Sequence, residues 1–481
     1  MTADPQAVLI GIDVGTTGVK VIGFEPQSAI IVASAGREYP SSSTSVGGHE
    51  QDPGDWWRAV VSCLREVIGS LPGRTITGVG LSGHMHSLLL LDENGDPVRP
   101  AMTWADRRIN EDTRRLAGNG SFLALGANDV VDAFTAPKLA WLSRTSPEAL
   151  GRATRLVLAK DYIGYRLTGE YATDETDAIG TLLYDVTTSA WSPELFAAAG
   201  ASIDLAPRVL RSTQLRGTVS VAAMVETGLP SGTPVMAGAG DVSAAVVGAG
   251  VVKSGQICLN VGTAAQVMGM MEQPVPGAGF VFGSALGGGF VSMASVYAAG
   301  ASVRWAERAV LGGGDINVLA GQSAPGSQGL TYLPFMFGTA VPRKNDSVRA
   351  AYLGQTERHG RPEFASAVLE GVAFACADAI AAVAEASGAP QEVRVVGGVA
   401  NSSRWREVLA SVIDADLLHV PEGGSALGAV ILAGLGTGVY VDPADAREHL
   451  RTVRVPRPAG TVVADYREAL ERYRLWCDKL L

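Results

Sequence analysis

The chain has 481 residues, a formal net charge of −10, 59 glycines and four cysteines. That length exceeds what one hydrophobic core supports, so two domains of similar size are expected. An acidic balance with no basic run argues against a nucleic-acid or anionic-membrane partner and is compatible with a soluble enzyme of small-molecule metabolism.

Residues 1–5 lack the basic stretch of a secretory leader, which points to a cytoplasmic protein. Apolar residues 8–12 drop into a turn and rise again at 19–24. The stretch Gly-Ile-Asp-Val-Gly-Thr-Thr-Gly-Val-Lys at 11–20 therefore reads as a β-hairpin whose tip exposes backbone N–H groups and the hydroxyls of Thr16 and Thr17. Such a tip suits phosphate oxygens, and Asp13 beside it suits the magnesium that travels with them. A third strand is expected at 30–33. Trp57, Val60, Val61, Leu64 and Ile68 then share one helical face.

A strand at 78–82 leads into Gly83-His84-Met85-His86-Ser87, and another strand follows at 88–91. Two histidines on one strand face could hold a metal, but no third ligand is in sight. Hydrogen bonding to a polyol is the better functional reading, and a satisfied structural histidine is the plain one for His84. Thr103-Trp104-Ala105-Asp106-Arg107-Arg108 gathers an aromatic, a carboxylate and two cations at a strand end. An aromatic face packs on sugar C–H groups and a carboxylate accepts from sugar hydroxyls. The plain reading is a surface ion pair.

Asp241 is a lone carboxylate in the small-residue run Ala237-Gly238-Ala239-Gly240. Burying it is costly, so it reads as a general base at a domain junction, as the N-cap of a helix over 242–247, or as both. Residues 234–251 are the most apolar stretch, yet Asp241 and the glycines make them a poor membrane span. The junction is expected near 250–255, giving domains 1–250 and 251–481.

In the second half, Gly262-Thr263 again sits between apolar runs at 256–261 and 266–271, with a further run at 289–294. Three strands followed by helices, twice over, indicate a duplicated α/β unit. Phe364, Val368, Val372, Cys376 and Ile380 mark a helix between Glu363 and Glu385. A buried strand at 393–396, a tight turn at 397–399, a helix capped by Ser402 or Ser403 through Val412, and a last helix at 464–480 follow. Gly397 and Gly398 would let a base or ribose lie against the backbone, with Asn401 as a polar reader. A Walker-type loop is excluded and a Rossmann fingerprint is disfavoured. Cys63, Cys258, Cys376 and Cys477 form no paired motif and read as reduced thiols.

Taken in order, these motifs resemble the FGGY family of carbohydrate kinases, its xylulokinase branch above all. The resemblance also rests on Glu50-Gln51-Asp52-Pro53, Phe134-Thr135-Ala136-Pro137-Lys138, Lys160-Asp161-Tyr162, Leu369-Glu370-Gly371 and Ala426-Leu427-Gly428. It implies two duplicated actin-like ATPase (ribonuclease H-like) α/β domains with an interdomain cleft. The N-terminal domain would bind sugar and the C-terminal one ATP. It further implies Asp241 as catalytic base, with Met85, His86, Trp104 and Asp106 at the sugar. Thr16, Thr17, Gly262 and Thr263 would lie at the phosphates, and Gly397, Gly398 and Asn401 at the nucleoside. Asp13 and Asp241 would hold Mg2+. The reaction implied is D-xylulose to D-xylulose 5-phosphate.

The chain departs from that branch at three places. Val242 stands where xylulokinases carry Asn, His84 replaces Gln, and Gly338-Thr339-Ala340-Val341-Pro342 replaces a charged loop. Met85-His86-Ser87 and Trp104-Ala105-Asp106 look more like the gluconate kinase branch. A kinase for another ketose, a polyol or gluconate is therefore an alternative, as is a catalytically silent actin-like sensor of sugar or nucleotide. A homodimer is left open.

Overall fold

A computed structural model describes residues 6–44, 47–277, 279–342 and 344–481; residues 1–5, on which the leader argument rests, lie outside the described residues. The first sheet begins as an antiparallel meander, β1 (Ala7–Val14), β2 (Gly18–Glu25) and β3 (Ile30–Glu38). It continues with β4 (Thr75–Gly83) parallel to β1, then β5 (Leu215–Thr218), β6 (Pro234–Met236) and β7 (Ala239–Gly240). Its order is β5-β6-β4-β1-β2-β3, with β7 beside the end of β4. The second sheet comprises β8 (Gln256–Val261), β9 (Ala265–Met271), β10 (Phe280–Gly283), β11 (Phe290–Val296), β12 (Glu392–Val396), β13 (Asp416–His419) and β14 (Val453–Arg454). Its order is β10-β11-β9-β8-β12-β13-β14. The run β3-β2-β1-β4 thus repeats as β11-β9-β8-β12, two antiparallel pairings followed by a parallel one. This is the duplicated two-domain α/β architecture expected from the paired Gly-Thr turns.

Burial explains the strand patterns. β1 lies inside its sheet with both faces covered, so Val8, Leu9, Ile10 and Ile12 are all buried and the sequence reads as a continuous apolar run. β3 is an edge strand whose residues alternate between exposed and partly buried. It therefore runs on to Glu38, past the apolar stretch at 30–33, because an edge needs no unbroken hydrophobic pattern. β10 has only four residues, too few to show any periodicity, and escaped the sequence reading.

The helices that bear on the site are α1 (Pro53–Gly69), α2 (Thr135–Thr145), α3 (Glu175–Ile179), α4 (Asp241–Gly248), α5 (Gly300–Ala309), α6 (Arg361–Ser387), α7 (Ser403–Val412), α8 (Ser425–Thr437) and α9 (Gly460–Leu480). Asp52 caps α1 by accepting from Gly54 N–H at 2.8 Å, and Trp56, Trp57, Val60 and Leu64 are buried against the first sheet. Ser402, not Ser403, caps α7, accepting from Trp405 N–H at 3.1 Å. α9 starts at Gly460, one turn before the expected 464. α6 is long and apolar enough to cross a membrane, but most of it is buried in the second core. All four cysteines are buried, and none forms a disulfide among the described residues.

Two helices cross between the sheets. α8, from the second half of the sequence, packs on β1 and β4 of the first sheet and on α4. The approach is backbone to backbone. A Cβ on Gly80 would lie 1.8 Å from Ala429 O, and one on Gly428 would lie 1.9 Å from Ala244 O. Only glycine fits at either position.

Candidate active site

Parallel pairing of β1, β4 and β7 brings their C-terminal ends together. Asp13 is in register with Ser82, and Ala239–Gly240 with Ser82–Gly83, so Asp13 and Asp241 emerge at the same edge. Both residues are partly open to solvent. Asp241 is the first residue of α4 and Gly240 is the N-cap, so the N-cap reading of Asp241 is corrected. Its carboxylate accepts from backbone N–H groups, that of Val242 to Oδ1 at 2.9 Å and its own, and among the described residues no other side chain is shown bonded to it. Ser425 Oγ, from α8, donates to Asp241 O at 3.1 Å and ties the Asp241 backbone to the other half of the chain. Burial, then the charge of Asp13, pushes Asp241 up to about 7. Asp13 is also raised by burial, against the pull of Ser82 and Lys20, and among the described residues its buried Oδ1 has no hydrogen-bond partner. Two adjacent hard-oxygen donors, one of them unsatisfied, fit a magnesium ion carried by phosphates.

The first Gly-Thr turn is held from behind. Gly15 N–H donates to Gly18 O at 2.9 Å, Gln51 Nε2 donates to Thr16 O at 2.7 Å, and the Tyr39 hydroxyl donates to Gly15 O. Thr17 is exposed. Trp104 is 38% exposed, and its indole N–H donates to Thr16 Oγ1 at 2.9 Å.

The histidines do not share a strand face, because β4 ends at Gly83. His84 turns inward, 5.3 Å from Trp56 edge-on, with Nδ1 2.8 Å from Ser87 Oγ. His86 adopts a positive φ of 70°, and its Nδ1 sits 2.6 Å from Gly180 O. Burial lowers the His86 pKa to about 3, so the ring is neutral. A neutral ring facing a carbonyl must carry its proton on Nδ1, which leaves Nε2 as an acceptor. Met85 is buried and lies under Gly240 and Gly180.

Asp106 does not present a free carboxylate. It is fully buried and accepts from Arg108 Nη2 at 2.5 Å, Arg108 Nε at 3.1 Å, Arg108 N–H at 3.1 Å and His49 N–H at 3.1 Å. Burial would raise its pKa, but these donors together hold it below the usual carboxylate value. Both the hydroxyl-binding and the surface-ion-pair readings are thereby corrected: the pair is internal, and it shapes the turn that carries Trp104.

The second Gly-Thr turn joins β8 to β9 at the place equivalent to the first. It is fastened to the start of α5, with Gly300 N–H donating to Gly262 O and Ala301 N–H to Thr263 O, each at 3.0 Å. Behind it opens a cavity of about 670 Å³ lined by Gly262, Thr263, Arg304, Asn317, Gly398 and Asn401, among others. Gly397 takes φ 95° to make the turn after β12, and Val399–Asn401 forms a single 3₁₀ turn. Arg304, whose Nη2 donates to Thr263 Oγ1 at 2.9 Å, and Asn317 escaped the sequence reading. Neither sits in a motif; the helix fold alone brings them to the turn.

Models of the FGGY family of carbohydrate kinases match the chain twice, the N-terminal domain over residues 8–248 and the C-terminal domain over 258–437. Xylulose kinase of Bacillus subtilis is 30% identical over 97% of this chain and 96% of that protein; xylulose kinase of Escherichia coli is 31% identical over 98% and 99%. Gluconokinase of Bacillus subtilis is 27% identical over 91% and 89%. A Brucella ovis crystal structure, described as a xyloylose kinase, superposes with a TM-score of 0.90 at 29% identity over 98% of this chain and 99% of its own. The Lactobacillus acidophilus gluconate kinase does so with 0.90 at 25% over 98% of each. The duplicated sheets, the paired turns and the two family matches agree along the length of the molecule, and the chain belongs to the FGGY family of carbohydrate kinases.

Proposed function

We propose that this sugar kinase transfers the γ-phosphoryl group of ATP to D-xylulose, giving D-xylulose 5-phosphate. The observation that supports the reading most is Asp241: a carboxylate poised near neutrality, bonded to backbone N–H groups and to no described side chain, at the edge shared with Asp13. Asp241 accepts the proton of the attacking sugar hydroxyl. Backbone N–H groups of the turns at Thr16, Thr17, Gly262 and Thr263 stabilise charge on the phosphates. Asp13 and Asp241 would hold the magnesium, which when bound neutralises phosphate charge. His86 Nε2 accepts from a sugar hydroxyl, Trp104 walls the sugar, and Met85 packs beneath Gly240. Gly397, Gly398 and Asn401 line the nucleoside. Residues 1–250 act as the sugar unit and 251–481 as the nucleotide unit.

A second reading, gluconate as acceptor, is favoured by Met85-His86-Ser87 and Trp104-Ala105-Asp106, which look more like the gluconate kinase branch, and by the gluconokinase relative. A coupled ADP-release assay with D-xylulose, D-ribulose, D-fructose, glycerol and D-gluconate separates the two. The highest kcat/KM is expected for D-xylulose. A preference for gluconate replaces the first reading by the second, and ATP binding without turnover of any acceptor favours a sensor.

A further inference from the structure

Behind Asp241 lies a buried charge cluster that the reaction does not touch. Lys160 Nζ meets the carboxylates of Asp161 at 2.7 Å, Asp174 at 2.9 Å and Asp177 at 3.0 Å, and Arg216 Nη2 meets Asp161 at 2.6 Å. All five side chains are almost wholly buried. Burial, with Asp161 and Asp174 adding to it against the pull of Lys160, pushes Asp177 up to about 8. A cluster of this kind contributes little net stability compared with apolar packing of the same volume. Its use must be sought in what it holds.

It holds the peptide before the base. Asp174 Oδ2 accepts from Ser212 Oγ at 2.8 Å, from Thr176 N–H at 3.0 Å and from Thr176 Oγ1 at 2.7 Å. Thr176 Oγ1, its only proton given to Asp174, accepts in turn from Gly240 N–H at 2.9 Å. Gly240 is the residue before Asp241 and has no side chain to fix its backbone. The same short helix, α3, is followed by its C-cap Gly180, whose carbonyl orients His86. One element anchored by Lys160 through Asp174 therefore reaches both the base and the sugar-side histidine.

We propose that Thr176 is a positioning residue for phosphoryl transfer: its hydroxyl, set by Asp174 and Lys160, fixes the Gly240 peptide and thereby aims the Asp241 carboxylate. The inference rests on the reading of Asp241 as base. A valine at this position keeps the shape and removes both hydrogen bonds. Misplacement of a reacting group by about 1 Å costs on the order of a hundredfold in rate.

The test compares wild type, Thr176→Val, Thr176→Ser and Asp241→Asn with ATP and saturating D-xylulose, and with D-gluconate in parallel. Thr176→Val is expected to lower kcat by roughly ten- to a hundredfold while leaving the KM for ATP unchanged, and Thr176→Ser to restore most of it. Wild-type kcat in Thr176→Val, at whatever melting temperature, overturns the proposal. So does an equal loss in Val and Ser, which would mean that packing and not the hydroxyl matters. Should Thr176→Val not fold, Thr176→Ala removes the same two bonds and is read in the same way. Retained activity in Asp241→Asn is a different result, which no Thr176 variant can imitate: it removes the base reading and the proposal with it.

Discussion

The indole N–H of Trp104 donates to Thr16 Oγ1 at 2.9 Å, joining the turn that carries Trp104 to the first Gly-Thr turn. The bond spans two motifs 88 residues apart and lies at an exposed surface. Trp104→Phe keeps the aromatic face and removes the donor. One neutral hydrogen bond contributes about 0.5–1.5 kcal/mol net, so kcat/KM is expected to fall roughly two- to tenfold. Steady-state kinetics with both substrates varied should show the loss in the ATP and the sugar terms together. A loss confined to the sugar KM would mean that the bond does not couple them.

Glu370 gives the molecule a pH-dependent stability. Its carboxyl is buried in α6 and accepts from Gly326 N–H at 3.0 Å, Ser327 Oγ at 2.9 Å and Ser366 Oγ at 3.1 Å. Burial nevertheless pushes it up to about 7, against those hydrogen bonds and Arg404. The folded state therefore holds this proton more tightly than the unfolded chain, whose glutamate titrates near 4.5. Stability is lost as pH rises from the unfolded value through the folded one and is level above it. The span corresponds to roughly 3 kcal/mol at about 1.4 kcal/mol per unit. Glu370→Gln imitates the protonated form. The difference in urea midpoint between variant and wild type should grow in the variant's favour from pH 5 to pH 7 and then stay constant.

Much of this fold was legible because its strongest elements carry period or punctuation. β1 and β8 are continuous apolar runs cut by Gly-Thr turns, and α6 shows a helical apolar face. Asp241 stood out because a lone charge in an apolar run demands a reason, and Asp13 because it sits beside a turn suited to phosphate. What could not be read were relations set by tertiary register. β10 is too short for a pattern, Arg304 and Asn317 line the cavity beside Thr263 only through the placement of α5 and of the short helix Ile316–Ala320 after it, and the Lys160 cluster gathers residues from 160 to 216. Asp106 was misread for the same reason: its sequence neighbours show the charges but not that the turn folds them inward.

The crossing of α4 and α8 predicts a severe effect from a small change. A Cβ on Gly428 would lie 1.9 Å from Ala244 O, on a helix backbone that cannot step aside locally. Gly428→Ala gains slightly in helix propensity and loses more by forcing the helices apart. Overpacking of this kind costs about 1–3 kcal/mol, or more when backbone is struck. Thermal melts should show a clear fall. Because Ser425 on α8 also bonds Asp241 O, kcat should fall in the protein that remains folded.

Asp106→Ala distinguishes a shaping carboxylate from a sugar-binding one. In the structure its oxygens are committed to Arg108 and His49 N–H, and Arg108 also meets Glu50 Oε1 at 2.6 Å. Removing Asp106 leaves a partly buried guanidinium with Glu50 and the face of Trp141 as its remaining partners. Breaking a buried pair costs 3–5 kcal/mol, and the remaining Glu50 contact places the expected loss near the lower end, about 3 kcal/mol by urea denaturation. The kinetic consequence should pass through Trp104, two residues away. Assayed well below its melting temperature, Asp106→Ala should then resemble Trp104→Phe, with similar and modest changes in both substrate terms. A carboxylate in direct contact with the sugar would behave in the opposite way: little change in the urea midpoint and a large rise in the sugar KM alone, since truncating a charged hydrogen-bond partner of a ligand removes binding without disturbing the fold.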